Sequence, residues 1–75
     1  MMKTINATHY EPKEKHKKIF EMYFSLEIGE SMLLINDHDP KPLYYQFVFE
    51  HQDQFEWTYQ NMGPDLFEVI IKKIA

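Results

Sequence analysis

The sequence predicts an α+β fold, a two-layer α/β sandwich with two helices on one face of a mixed four-stranded sheet. Three patterns lead to this prediction. Apolar residues recur at helical spacing early in the chain, a short continuous apolar run follows, and a later aromatic stretch alternates strictly with polar residues. Helices with one apolar face and a half-buried sheet cover each other in such a layered domain. The predicted element order is β-α-β-α-β-β.

The first half of the chain predicts a strand, a helix and a second strand. Residues 3–8 alternate weakly and predict the first strand. Residues 13–27 carry apolar side chains at helical spacing with charged residues opposite, and Pro12 suits the first turn of that helix. The apolar run at residues 31–36 predicts a strand that is covered on both faces or lies at the centre of the sheet.

The second half predicts a shorter helix and a β-hairpin. Residues 43–50 predict the helix, with Asp39 as its N-cap and Pro40 as its first residue. Residues 55–60 show the clearest strand pattern, and residues 67–72 predict a closing strand that pairs with it. The side chains expected to meet the helices are Phe55, Trp57, Tyr59, Phe67, Val69 and Ile71. The opposite, partly wet face is expected to carry Glu56, Thr58, Glu68 and Lys72.

Length, charge and cysteine content exclude several classes of function. The 75 residues predict one domain, residues 1–75, and the absence of cysteine excludes disulfides, thiolate nucleophiles and Cys-ligated zinc. A net charge of −4 with no arginine argues against nucleic-acid binding, which relies on basic side chains. No stretch is long and apolar enough to span a membrane, and the N-terminus lacks a signal-peptide core. A cytoplasmic protein is expected.

The polar loop at residues 36–42, Asn-Asp-His-Asp-Pro-Lys-Pro, is the main candidate for a site. If the first two strands run parallel, the loops that follow them lie at the same edge of the sheet, where open α/β sheets bind ligands. Both helix N-termini also point to that edge. The residues expected to form a cleft there are His16, Asp37, His38 and Asp39.

Two interpretations of this cleft stay open. In one, His16 and His38 together with Asp37 bind a transition metal through mixed nitrogen and oxygen ligands, although their spacing is not diagnostic. In the other, His38 supports the loop and His16 hydrogen-bonds a loop carboxylate, so that the cleft is structural. No cofactor is required by the sequence. Secondary candidates beside the loop are Lys41, Tyr44 and Tyr45.

A run of lysines opens the first helix, although cations there oppose the helix dipole. They are Lys13, Lys15, Lys17 and Lys18. Neighbouring carboxylates could neutralise them, or they could recruit an anionic ligand to the cleft. A solvated face of mixed charge is the expected explanation.

Several short segments resemble a known family over most of the chain, from Ile5 to Ile74. They are Glu14-Lys15-His16, Gly29-Glu30, residues 36–43, Gln54-Phe55-Glu56-Trp57 and Gly63-Pro64. Together they resemble the uncharacterised bacterial domain-of-unknown-function family DUF2249, within the TusA-like (SirA-like) fold group. The resemblance implies the same β-α-β-α-β-β sandwich.

The resemblance also bears on function. Members of this family often occur beside or fused to hemerythrin-like, cation-binding domains, which implies a link to iron, redox or nitrogen-oxide physiology and a hemerythrin-like partner. Sulfur-carrier members of the wider fold group use a Cys-Pro-x-Pro motif at the first helix. The equivalent segment here, residues 10–13, has no cysteine. Persulfide transfer is therefore excluded, because no sulfur nucleophile exists.

The sequence as a whole predicts a small, non-catalytic, cytoplasmic binding or accessory module, with a metal-linked or redox-linked cleft. No catalytic constellation stands out, and a chain of this length has little room for a water-excluding pocket. The alternative is a protein–protein interaction domain that acts through its open sheet face. Its partner would be a hemerythrin-like protein or a second copy of the chain.

Overall fold

A computed structural model describes residues 2–75, and it confirms the predicted element order and the mixed four-stranded sheet. Met1, the first residue of the predicted domain, lies outside the described residues. The elements are β1 (Lys3–Asn6), a single 3₁₀ turn (Ala7–His9), α1 (Pro12–Phe24), β2 (Ser31–Asn36), α2 (Lys41–Glu50), β3 (Phe55–Met62) and β4 (Phe67–Lys73). Within residues 2–75, no helix is long and apolar enough to cross a membrane.

The sheet has the strand order β1-β2-β4-β3. β1 pairs in parallel with β2, with Ile5 opposite Leu34. β4 lies between β2 and β3 and is antiparallel to both, with Leu34 opposite Val69 and Tyr59 opposite Val69 on the other side. β1 and β3 are therefore the two edge strands. The predicted parallel first pair and the predicted C-terminal hairpin are both confirmed.

One core joins both helices to one face of the sheet. The Phe47 ring on α2 is fully buried and stacks on Phe20 of α1 with a centroid distance of 4.5 Å. It also meets the rings of Tyr23 at 5.0 Å and Phe55 at 5.1 Å. The strand residues with no exposed surface in this core are Met32, Leu34, Val69 and Ile71. On the opposite face, Glu56, Thr58 and Lys72 are exposed and Glu68 is half-buried, as predicted.

α1 ends at Phe24, three residues before the predicted end. Ser25 is the C-cap, and its hydroxyl donates to the Met22 carbonyl at 2.6 Å. A serine side chain that bonds the preceding turn competes with continued helix. Leu26, beyond the end of the helix, is nevertheless buried as part of the core.

β1 and β3 also differ in length from the prediction. β1 ends at Asn6, whose side-chain oxygen accepts from the Thr8 backbone N–H at 3.0 Å and so starts the 3₁₀ turn. β3 continues to Met62, beyond the predicted end at Gln60. The strand lengthens because an irregularity between Tyr59 and Asn61 lets pairing with β4 resume after one extra residue.

Gly63→Ala is expected to destabilise the fold more than Gly29→Ala. Both glycines have positive φ, +89° and +96°, so each substitution introduces backbone strain of about 1–3 kcal/mol. A Cβ at Gly63 would also lie 2.7 Å from Cζ of Phe67, whereas a Cβ at Gly29 meets nothing within 4 Å. Chemical denaturation of the two variants measures the difference, and equal losses would show that the Phe67 ring moves aside at no cost.

Candidate functional site

The parallel pairing of β1 with β2 brings the loops after these strands together around a small pocket of about 60 Å³. We call it the loop pocket. It is lined by Ala7, Lys15, His16, Ile19, Asn36, His38, Pro40, Pro42 and Leu43. Two predicted site residues, His16 and His38, therefore share one pocket although they are far apart in sequence. Lys15 of the basic run also lies on its wall.

His16 is half-buried on α1 and is oriented by α2. Its Nδ1 lies 2.9 Å from the side-chain oxygen Oε1 of Gln46. Because an amide oxygen only accepts hydrogen bonds, His16 donates through Nδ1–H. In the neutral ring this leaves a lone pair on Nε2. The predicted alternative, a hydrogen bond from His16 to a loop carboxylate, is wrong, because Gln46 takes that place.

His38 is oriented in the same way by its neighbour Asp37. Its Nδ1 lies 2.7 Å from Oδ1 of Asp37, and both side chains are largely exposed. This hydrogen bond is the main reason why the pKa of the Asp37 carboxyl is lowered. Desolvation raises the pKa in part, and the charge of Lys15 lowers it further. The carboxylate of Asp37 thus acts as the orienting partner of His38, and His38 Nε2 stays free in the neutral ring.

Asn36 is a site residue that the sequence analysis did not single out. It closes β2, is 5% exposed, and donates through Nδ2 to the His38 carbonyl at 3.1 Å. Its Oδ1 is buried and accepts no hydrogen bond from the described residues. A buried acceptor without a donor is costly, so such an atom calls for a partner. The available signal was a polar residue that ends an otherwise apolar strand.

Asp39 does not cap α2, and Pro40 is not its first residue, contrary to the prediction. α2 begins at Lys41 with Pro40 in the N-cap position, and no side chain caps it. Of the two backbone N–H groups that a capping Asp39 could use, those of the second and third helical residues, Pro42 in the third position has none, which leaves only the N–H of Lys41. The Asp39 carboxylate instead accepts a hydrogen bond of 2.7 Å from the hydroxyl of Tyr59 on β3.

The four predicted site residues therefore separate into different roles. His16 and His38 line the loop pocket, Asp37 holds His38, and Asp39 is bonded to β3. Among residues 2–75, no group of three or more His, Asp or Glu side chains is arranged to hold a metal ion. Any metal in the loop pocket would need a ligand of another type beside the two imidazoles.

A second, larger concavity lies between α2 and the edge strand β3. We call it the α2–β3 groove, with a volume of about 620 Å³. Its lining residues are Lys41, Tyr44, Tyr45, Val48, Gln52, Asp53, Phe55, Trp57 and Tyr59. All three secondary candidates lie here. The Trp57 ring packs edge-on against Tyr44 at 5.2 Å, and its buried Nε1 makes no hydrogen bond of standard geometry with the described residues.

The hydrogen bond between Tyr59 and Asp39 joins the loop to this groove. Burial first, and the Asp39 carboxylate second, raise the pKa of the Tyr59 hydroxyl above its ordinary value of 10.0, while the Trp57 indole acts in the opposite direction. The folded chain thus holds this proton more tightly than the unfolded chain does. The stability that results is complete below about pH 10 and is lost as the pH rises through the folded pKa.

Asp39→Asn is expected to lower the pKa of Tyr59 part of the way towards its ordinary value, because the hydroxyl stays buried while the carboxylate charge is removed. Ultraviolet absorbance of tyrosinate during an alkaline titration measures this shift, with Tyr59→Phe identifying which transition belongs to Tyr59. An unchanged transition in Asp39→Asn would contradict the hydrogen bond between these two side chains.

The comparisons with known proteins identify a family and assign no activity to the chain. No curated protein and no solved structure shows significant similarity to the chain. The family model described as "Uncharacterized conserved protein (DUF2249)" matches residues 4–73, nearly the whole chain. The match agrees with the resemblance seen in the segments around His16, the 36–43 loop and Trp57. The chain belongs to the family DUF2249.

Proposed function

We propose that the chain is a non-catalytic binding module whose loop pocket takes a single transition-metal ion. The observation that carries this proposal is the unpartnered Oδ1 of the buried Asn36, on the wall of a pocket that two imidazoles share. The volume of about 60 Å³ suits one ion with a bound water and excludes a larger organic ligand.

The proposed ligands are His16 Nε2, His38 Nε2 and Asn36 Oδ1. Metal-binding histidines donate their other ring N–H to a carboxylate, carbonyl or water, which fixes the tautomer and turns the lone pair to the metal. His16 has Gln46 in this role and His38 has Asp37. Mixed imidazole and oxygen ligands suit zinc, nickel, copper or iron ions. Asn36 supplies the third ligand that the predicted set took from Asp37.

The positive charge of Lys15 raises the question of whether the loop pocket binds a cation or an anion. Lys15 lines the pocket, and α1 and α2 both begin at this edge, after β1 and β2. These features favour an anion, whereas the two lone pairs and Asn36 Oδ1 favour a cation. The carboxylate of Asp37, already influenced by the charge of Lys15, offsets that charge. We infer that the balance favours a cation.

Titration of the apo protein with Ni²⁺ or Zn²⁺ in a calorimeter is expected to show one bound ion per chain. His38→Ala should abolish binding, and Gln46→Ala should weaken it by roughly 10–100-fold because His16 loses its orienting partner. His9→Ala, an exposed histidine outside the pocket lining, is the matched control. Absence of binding, or binding indifferent to His38, would refute the metal site.

Lys15→Gln is expected to strengthen metal binding by roughly two- to fivefold, since one repulsive charge is removed. Lys17→Gln, which changes the net charge equally but lies outside the pocket lining, should have a smaller effect. A parallel titration with inorganic phosphate separates the two ligand types. Phosphate binding that Lys15→Gln weakens would show that the loop pocket is an anion site instead.

A second proposal is protein binding through the open sheet face, the face without helices. Its central residues Leu33, Ile35 and Ile70 are apolar and only half-buried, and Leu33 lies opposite Ile70 in the sheet. A contiguous apolar patch of this kind is a common feature of interaction surfaces. The hemerythrin-like partner, the TusA-like fold group and the cytoplasmic location stay predictions from the resemblance and the composition.

If this face binds a hemerythrin-like protein, Ile70→Lys is expected to abolish capture of that purified protein. The substitution would bury a lysine charge in an apolar interface, which costs free energy. Glu21→Gln on the exposed side of α1 changes the net charge by the same amount and should leave capture intact. Capture that survives Ile70→Lys in a folded protein would exclude the open sheet face.

A further inference from the structure

β3 presents an open backbone edge along the α2–β3 groove. The Gln54 carbonyl accepts from the Ile74 N–H at 3.0 Å, at the start of the β3–β4 pairing. Because backbone groups alternate in direction along an antiparallel strand, the N–H and C=O groups of the odd-numbered residues from Phe55 to Tyr59 point away from β4. β3 is the outermost strand on this side of the sheet. The donors and acceptors of these residues are therefore available to another strand.

The sequence of β3 carries few of the features that keep edge strands apart. Its eight residues include no lysine and no proline, and its irregularity begins only after Tyr59. β1, the other edge strand, has four residues and begins with Lys3. A long, aromatic and unprotected edge is typical of a strand that pairs with a partner.

An apolar stripe on α2 borders the same groove. Tyr45, Val48 and Phe49 are 63%, 37% and 90% exposed and lie three and four residues apart, which places them on one side of the helix. Tyr45 and Val48 also line the groove. The edge of β3 and this stripe thus border one continuous surface that offers both apolar area and free backbone groups.

The groove carries a positive side chain at one end and a negative one at the other, so the grooves of two antiparallel copies have complementary charges. Lys41 opens α2 and Asp53 follows its end, and both line the groove. When a two-fold axis pairs β3 antiparallel with the β3 strand of a second copy, the two grooves lie side by side and run in opposite directions. Lys41 of each copy then faces Asp53 of the other, and the two apolar stripes approach each other. Two-fold dimers are the commonest symmetric assemblies.

We propose that two copies of this chain associate through the β3 edges and the α2–β3 grooves, to form one continuous sheet. The dimer is independent of the loop pocket, which lies at the carboxyl ends of β1 and β2. It also differs from binding through the open sheet face, since it uses the edge of β3 and one side of α2.

Sedimentation velocity over a concentration series measures the dissociation constant of the dimer. The test compares variants in which the charge at one end of the groove is reversed. Lys41→Asp and Asp53→Lys should each raise the dissociation constant at least tenfold, because each places like charges together at both ends of the interface. An equimolar mixture of the two variants should dimerise again, since each charge then meets its opposite. Lys17→Asp, remote from the groove, is the control.

Phe49→Ser keeps the test decisive if a charge variant fails to fold. The side chain is 90% exposed, so its loss should leave the thermal unfolding of the monomer unchanged and weaken the dimer at least tenfold. A wild-type chain that stays monomeric at the highest soluble concentration would overturn the proposal. So would a dimer that Phe49→Ser leaves unchanged, or variants that fail to complement each other when mixed.

Discussion

The parallel pairing of β1 with β2 is the constraint on which the rest of this structure depends. A parallel pair needs a crossover, and α1 supplies it, so the chain leaves both strands at the same edge of the sheet. The loop pocket forms at that edge from residues that are 20 positions or more apart, such as His16 and Asn36. β4, the last strand, pairs with β2, so β3 becomes an edge strand. The α2–β3 groove therefore stays open.

The carboxylates around the loop pocket determine its chemical character. Asp39 is committed to the Tyr59 hydroxyl and Asp37 to the His38 ring. The polar part of the pocket lining consequently consists of two imidazoles, the Asn36 side chain and one lysine rather than carboxylates. The proposed cation would therefore be held more weakly here than in a carboxylate-rich site.

Much of the fold could be predicted from the sequence because its signals are local. The alternation in Phe55–Gln60 and the apolar run at residues 31–36 specify β3 and β2 directly. The role of Asp39 could not be predicted from its neighbours, since its partner Tyr59 is 20 residues away and depends on where β3 runs. The sequence does show that Pro42 lacks an N–H, which removes one of the two donors that a capping Asp39 could use. The α2–β3 groove depends on strand order, which no local pattern encodes, whereas Asn36 carries a local signal as the polar residue that ends an apolar strand.

The tautomers of His16 and His38 decide whether the loop pocket presents two imidazole lone pairs to a metal ion. Long-range ¹H–¹⁵N spectra of the ring nitrogens, recorded on the metal-free protein at a pH where the rings are neutral, show which nitrogen carries the proton. We expect a proton on Nδ1 and a lone pair on Nε2 in both rings, with His9 as an exposed reference. A proton on Nε2 of either ring would contradict it, because that ring would then present no lone pair to the loop pocket.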